Sequence, residues 1–235
     1  MKKKLLIFML IIFIQKGHAQ LSSNFYIETG ENYASSGMYT DISGSLSTII
    51  QLWKIELVTG ITFNEARQNR FNAINLGITR AFSIKSNEFS AKAFYQWNPF
   101  SERLQEQTAG LLAIYNLNKI DFVIGLNTRV FSLTKNYTRL NNYEQNVIWE
   151  PVNLMYKISY THLFSDKFSL MTSITNYDAF IIQQETNPMF INRLEYQLSE
   201  DTKLNLGVGY LQSGLMNIRV NYFGYFIRGG IQWDF

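Results

Sequence analysis

The last fourteen residues, Tyr222 to Phe235 (YFGYFIRGGIQWDF), repeat with a period of two. Phe223, Tyr225, Ile227, Gly229, Ile231, Trp233 and Phe235 share one register. Gly224, Arg228, Gly230, Gln232 and Asp234 share the other. A β-strand sends successive side chains to opposite faces, so one face here suits hydrocarbon and the other suits water or a polar interior. The same alternation runs through Trp53 to Asn64, where Trp53, Ile55, Leu57, Thr59, Ile61 and Phe63 oppose Lys54, Glu56, Val58, Gly60, Thr62 and Asn64. Beyond the N-terminal segment no apolar run approaches the roughly 18 residues a membrane helix needs. If such a chain spans a bilayer, only a closed barrel satisfies all its backbone groups.

Taken in order, the chain predicts 12 strands, counting from the alternating segments. They are Leu21–Thr29, a weak Thr40–Ile50, Trp53–Asn64, Ala73–Ile84, Glu88–Asn98, Glu106–Leu117, Ile120–Leu133, Val152–Phe164, Lys167–Tyr177, Met189–Leu198, Thr202–Gln212 and the terminal strand. Omitting the first two leaves a 10-strand alternative. Short turns near 51, 86, 118, 165 and 200 alternate with longer loops near 34, 68, 102, 142, 184 and 216. Pro99, Pro151 and Pro188 all fall where strands meet the longer loops.

The N-terminus has its own chemistry. Lys2, Lys3 and Lys4 precede an apolar run from Leu5 to Ile14, and Gly17-His18-Ala19 supplies small residues at a cleavage site before Gln20. This predicts a signal peptide over residues 1–19 and a single barrel domain over 20–235. A run of ten residues rises about 15 Å as a helix, half of a ~30 Å hydrocarbon core, which argues against an anchor. Without Lys2, Lys3, Lys4 and Lys16, the 21 bases fall to 17 against 18 acids, so the +3 of the whole chain belongs to the export segment. Nucleic acid is not an expected partner. Cysteine is absent, which excludes disulfides and thiolate metal sites.

The ending IRGGIQWDF resembles the terminal strand of bacterial outer-membrane β-barrels, with Tyr225, Ile227, Ile231, Trp233 and Phe235 as its assembly signal. That resemblance implies an all-β, antiparallel, up-and-down transmembrane barrel in the cell outer membrane. Its implied partners are outer-membrane lipid and, during biogenesis, the barrel-assembly machinery. Aromatic residues beside the short turns (Trp53, Phe89, Phe164, Phe168, Trp233, Phe235) and the long loops (Phe63, Trp97, Trp149, Phe190, Tyr210) fit two interfacial girdles. A soluble β-sandwich shares the alternation but not the girdles or the turn asymmetry. The Asn-, Ile- and Lys-rich composition resembles that of Bacteroidota proteins.

Little catalytic chemistry is available. His162 is the one histidine left after cleavage, and its register shared with Tyr160 and Phe164 turns it toward lipid beside a short turn. Outer-membrane lipases need a histidine base beside a serine. A lipid-modifying enzyme is therefore the weakest of three functions. No catalytic, metal or cofactor site is expected. The inward register collects Lys54, Glu56, Lys92, Asp121, Arg129, Lys157, Arg193, Glu195, Lys203, Arg228 and Asp234, seven bases and four acids. The outward register holds one charge, Arg80. Two readings of the inward charges stay open: a salt-bridged filling, or a narrow passive channel favouring anions. Inward glycines at 60, 77, 110, 125, 207, 209 and 230 leave room for the second. A non-conducting barrel that scaffolds envelope partners is the alternative function.

Deletion of Phe235, or Trp233→Asp, is predicted to impair assembly, because each removes apolar contact from the outward register. Heat-modifiable electrophoretic mobility of membrane-extracted protein reads this directly.

Overall fold

The structure, a computed structural model, describes residues 20–32, 37–64, 67–84, 87–99, 104–141, 147–177, 188–213 and 221–235. The predicted signal segment, residues 1–19, lies outside them. The described residues form a closed antiparallel barrel in which each strand pairs with its chain neighbours. Its strands are β1 (Gln20–Asn32), β2 (Gly37–Ile50), β3 (Trp53–Asn64), β4 (Arg67–Ile84), β5 (Asn87–Pro99) and β6 (Leu104–Leu117). They continue as β7 (Ile120–Leu133), β8 (Val147–Ser165), β9 (Phe168–Thr175), β10 (Met189–Ser199), β11 (Thr202–Ser213) and β12 (Asn221–Asp234). The seam joins β1 to β12, from Ser22 opposite Asp234 to Asn32 opposite Gly224. Strand count and topology agree with the twelve-strand expectation.

Tight hairpins close one end, which we call the short-turn end. Ile50 pairs with Trp53 across Gln51-Leu52, and Leu117 with Ile120 across Asn118-Lys119. The first residue of each turn has positive φ, 56° at Gln51 and 52° at Asn118, a conformation favoured in two-residue hairpins. Both chain ends of the barrel lie here, where the Phe235 amide donates to Leu21 O at 2.7 Å.

Several boundaries differ from the sequence expectation. β4 begins at Arg67, so the loop predicted over 65–72 shrinks to a connection between the paired residues Asn64 and Arg67. β8 begins at Val147 and contains Pro151. The register with β7 shifts there, between Asn127 and Arg129, and such a bulge tolerates a residue with no amide hydrogen. The predicted loop from Thr134 carries a short helix, α1 (Lys135–Asn141). β9 stops at Thr175, two residues earlier than predicted. The chain then leaves the wall: Asn176 Nδ2 donates to Leu154 O, and the Tyr156 amide donates to Asn176 Oδ1. The Asn176 amide keeps one backbone bond, to Tyr156 O at 3.2 Å, its side chain adds these two, and Tyr177 is buried inside the barrel.

The two faces separate by chemistry. Outward residues such as Leu57, Leu76, Leu111, Ile124, Leu154, Leu206 and Val208 are exposed along the middle of the wall. This is the surface of a bilayer-spanning barrel. Near the short-turn end, Phe82, Phe89, Tyr115 and Phe122 form a continuous aromatic row, with the Phe89 and Tyr115 rings 4.8 Å apart. Arg80 also faces out, 5.2 Å from the centre of the Trp53 ring, where a cation–π contact offsets part of its desolvation.

Inward glycines do not leave the space expected of them. A Cβ at Gly110 would strike the Phe94 ring, at Gly209 the Phe226 ring, at Gly230 the Tyr26 ring and at Gly77 the Lys92 chain. Large side chains of neighbouring strands lie flat across these glycines and use the room. Gly207 differs, since its Cβ would meet nothing closer than 3.8 Å. Gly209→Ala is therefore predicted to cost about 1–3 kcal/mol by overpacking, because Phe226 is held by Met189 and Ile191. Outward Gly229→Ala, with nothing within 4 Å, is predicted to stay within about 0.5 kcal/mol of wild type in urea unfolding.

Candidate functional site

Because alternate residues of every strand point inward, the lumen collects the polar register of all twelve strands. The strand phase places Lys54, Glu56, Lys92, Asp121, Arg129, Lys157, Arg193, Glu195, Lys203, Arg228 and Asp234 there. It also places there Glu28, Asp41 and Glu106, all buried, which the sequence reading missed. With those three the acids equal the seven bases. Glu88, exposed near the start of β5, shares the phase of Lys92, so the expected basic excess is not found among the described residues.

The charges are organised as short-range pairs. Glu28 Oε2 meets Arg228 Nη2 at 2.6 Å and accepts from its Nε at 2.8 Å, across the β1–β12 seam. The Tyr39 hydroxyl donates to the other Glu28 oxygen at 2.7 Å. Glu106 Oε1 accepts from Arg129 Nε at 2.6 Å and from Thr108 Oγ1 at 2.9 Å. Glu56 lies between Lys92 at 2.7 Å and Lys54 at 3.6 Å. Arg193 pairs with Glu195, two residues along the same strand, at 2.6 Å. Thus Glu195, one of the four acids read from the sequence, takes Arg193, whereas Glu28 and Glu106, which were not, take Arg228 and Arg129. Asp121 stands at the start of β7, opposite Asn116 and Ser159 and toward the short-turn end.

Apolar side chains fill much of what remains. Phe94, Leu112, Met155 and Tyr177 form one buried cluster on the β5–β9 side. Met189, Ile191 and Phe226 form a second, with Tyr39 against it. Tyr177 is the residue that the early end of β9 releases into the lumen. Its ring lies 5.4 Å from Phe94, and the Lys92 ammonium lies beside its hydroxyl. Thr175, with no exposed surface, holds this turn by accepting from the Tyr177 amide at 2.9 Å.

A cavity of about 200 Å³ is left between these groups. Lys92, Lys157, Arg193 and Arg228 line it, and among the described residues no carboxylate does. Glu56, Glu195 and Glu28 sit behind three of these cations. The cations therefore face the cavity while their acids stay off its lining. Among the described residues no group of histidines and acids could hold a metal ion. His162 is exposed on the outer face at the short-turn end, with its ring 4.7 Å from Phe164.

No family model matches the chain, and no curated protein matches it in sequence. Solved structures do match in fold. A KdgM porin in complex with disordered oligogalacturonate superposes with a TM-score of 0.54 at 12% identity, over 91% of this chain and 99% of the porin. The NanC porin gives 0.54 at 13% identity, over 89% and 98%. The COG4313 outer membrane channel from Pseudomonas putida F1 gives 0.50 at 8% identity, over 93% and 96%. These likenesses establish that the chain has the fold of outer-membrane barrels.

Removing one member of a buried ion pair leaves the other uncompensated, at a cost of about 3–5 kcal/mol. Glu106→Ala is predicted to destabilise by that order, since Glu106 and Arg129 are 2% and 12% exposed. Lys54→Gln, at a side chain 43% exposed, is predicted to change stability by less than about 1 kcal/mol. Urea unfolding in lipid vesicles reads both.

Proposed function

We propose that the protein is an outer-membrane channel: a narrow passive conduit for small solutes, with a mild preference for anions. The observation that carries this is the cavity inside the barrel wall, lined among the described residues by four cations and no carboxylate. In this reading residues 1–19 form a cleaved signal peptide and the short-turn end faces the periplasm. Water in the cavity lets the cation face act on a passing solute, while the acids behind it hold the cations in place. A ring of fixed charge at a constriction selects by sign. That many porins share this fold is a supporting analogy and no more.

The second reading, a sealed barrel that scaffolds envelope partners, is favoured by one specific observation. Phe226, Met155 and Met189 are at most 2% exposed inside the lumen, so apolar packing takes up part of it, and Phe226 bounds the cavity itself. A lipid-modifying enzyme gains no support from His162, whose ring faces outward at the short-turn end.

Conductance in planar bilayers separates the two main readings. The channel reading predicts small single-channel steps and a reversal potential displaced toward the anion in a salt gradient. The preference should weaken as salt rises, because screening shortens the reach of the cations. Tyr177→Ala removes the ring that crosses from β9 toward Phe94 and is predicted to raise conductance. Silence from both wild type and this variant favours the sealed barrel.

A further inference from the structure

We propose that the lumenal cavity is a binding site for a small organic anion with an apolar body, best an aromatic monocarboxylate. The inference rests on the channel reading only for how such a ligand would arrive. An engineered apolar cavity of about 150 Å³ holds benzene. The cavity here, about 200 Å³, accommodates a six-membered ring with a carboxylate attached.

The polar part of the site is built for a negative group. Arg193 and Arg228 stand on β10 and β12, either side of Gly207 on β11. Strands are about 4.8 Å apart, so the two arginines flank a gap of roughly 10 Å with no side chain between them. Glu195 occupies part of the Arg193 guanidinium, which carries five donors, and leaves others to serve a ligand. Arg193 Nε is buried and makes no hydrogen bond. A desolvated donor left unmade is costly, and an incoming carboxylate oxygen would relieve that cost through a charge-assisted bond. Lys92 and Lys157 add positive charge from the β5 and β8 walls.

The rest of the lining decides the body of the ligand. Leu112, Ile114, Val123, Met171, Ile191 and Phe226 give it an apolar surface. Ser173 Oγ and Asn205 Nδ2 line the cavity and make no hydrogen bond, so they offer partners to one or two ligand hydroxyls. A body covered in hydroxyls, such as that of a sugar acid, would set the others against the apolar groups. The Thr175 hydroxyl is already committed to Tyr156 O and Tyr177 O. An aromatic ring needs no partners there and gains from burial.

The test is calorimetric titration of the refolded barrel in detergent at low salt, with benzoate as the probe. Glucuronate serves as an equally charged hydroxylated probe, and benzylammonium as a ring of opposite charge. Saturable benzoate binding, at least tenfold tighter than either comparison probe, supports the site. Gly207→Leu fills the gap between the arginines without changing any charge and should weaken benzoate at least tenfold. Lys157→Gln, a smaller change that keeps the cavity open, should weaken it severalfold. Heat-modifiable mobility establishes that each variant is assembled. No saturable benzoate binding, equal binding of glucuronate or benzylammonium, or unchanged affinity in both variants overturns the proposal. Conductance of the same preparation keeps the two ideas apart. A silent barrel that binds benzoate upholds the site and contradicts the channel, whereas a conducting barrel that does not bind it overturns the site alone.

Discussion

A backbone amide facing hydrocarbon without a partner costs several kcal/mol, on the order of the net stability of a domain. The whole architecture follows from avoiding that cost. No described helix is long and apolar enough to cross a membrane, so the strands must satisfy one another, and the first must meet the last. Once β1 pairs with β12, the alternation of every strand is locked to two surfaces. A slip of one residue at any pairing would exchange the two sets of side chains. Leu57, Ile124 and Leu206 then face lipid, while Glu56, Val123 and Asn205 face the lumen.

The lumen inherits a conflict from this arrangement. Its register is polar and charged, yet its space is small and partly dry. Two devices resolve it. Carboxylates and cations meet at 2.6–2.8 Å, as in Glu28–Arg228, Glu106–Arg129 and Glu56–Lys92, so that few charges face an unpaired environment. Aromatic rings lie across inward glycines, which converts missing side chains into packing for Phe94, Phe226 and Tyr26. What remains is the cavity beside Gly207. There the cations project into the open space and their acids stay behind them, so the lumen presents a positive wall at this point.

Much of this was legible in the residues. The strand count and the short turns at 51, 118 and 200 came from a period-two pattern, whereas the expectation of Arg80 as the one outward charge missed Glu31, which the longer β1 places in the outward phase. The missed acids were legible in principle. Glu28 continues the phase of Asn24 and Tyr26, Asp41 that of Ser43 and Ser45, and Glu106 that of Thr108 and Gly110. Each sits near a strand end, where the alternation has too few repeats to assign a face. Other features are non-local. That Pro151 would be absorbed in a bulge depends on the β7 register. That Tyr177 would turn inward past the end of β9 depends on the Asn176 side chain adding bonds to β8. The filling of the glycine gaps depends on which ring stands on the next strand.

The central claim is that closure of the seam brings together inward charges remote in sequence, and Glu28 and Arg228, 200 residues apart, are its clearest instance. A double-mutant cycle with Glu28→Gln, Arg228→Gln and the combined variant, measured by reversible urea unfolding in vesicles, tests it most directly. The account predicts a coupling above about 1 kcal/mol, with the double variant less damaged than the two single losses together imply. Additivity within about 0.5 kcal/mol would mean that the two side chains do not meet, and would contradict both the seam register and the paired lumen.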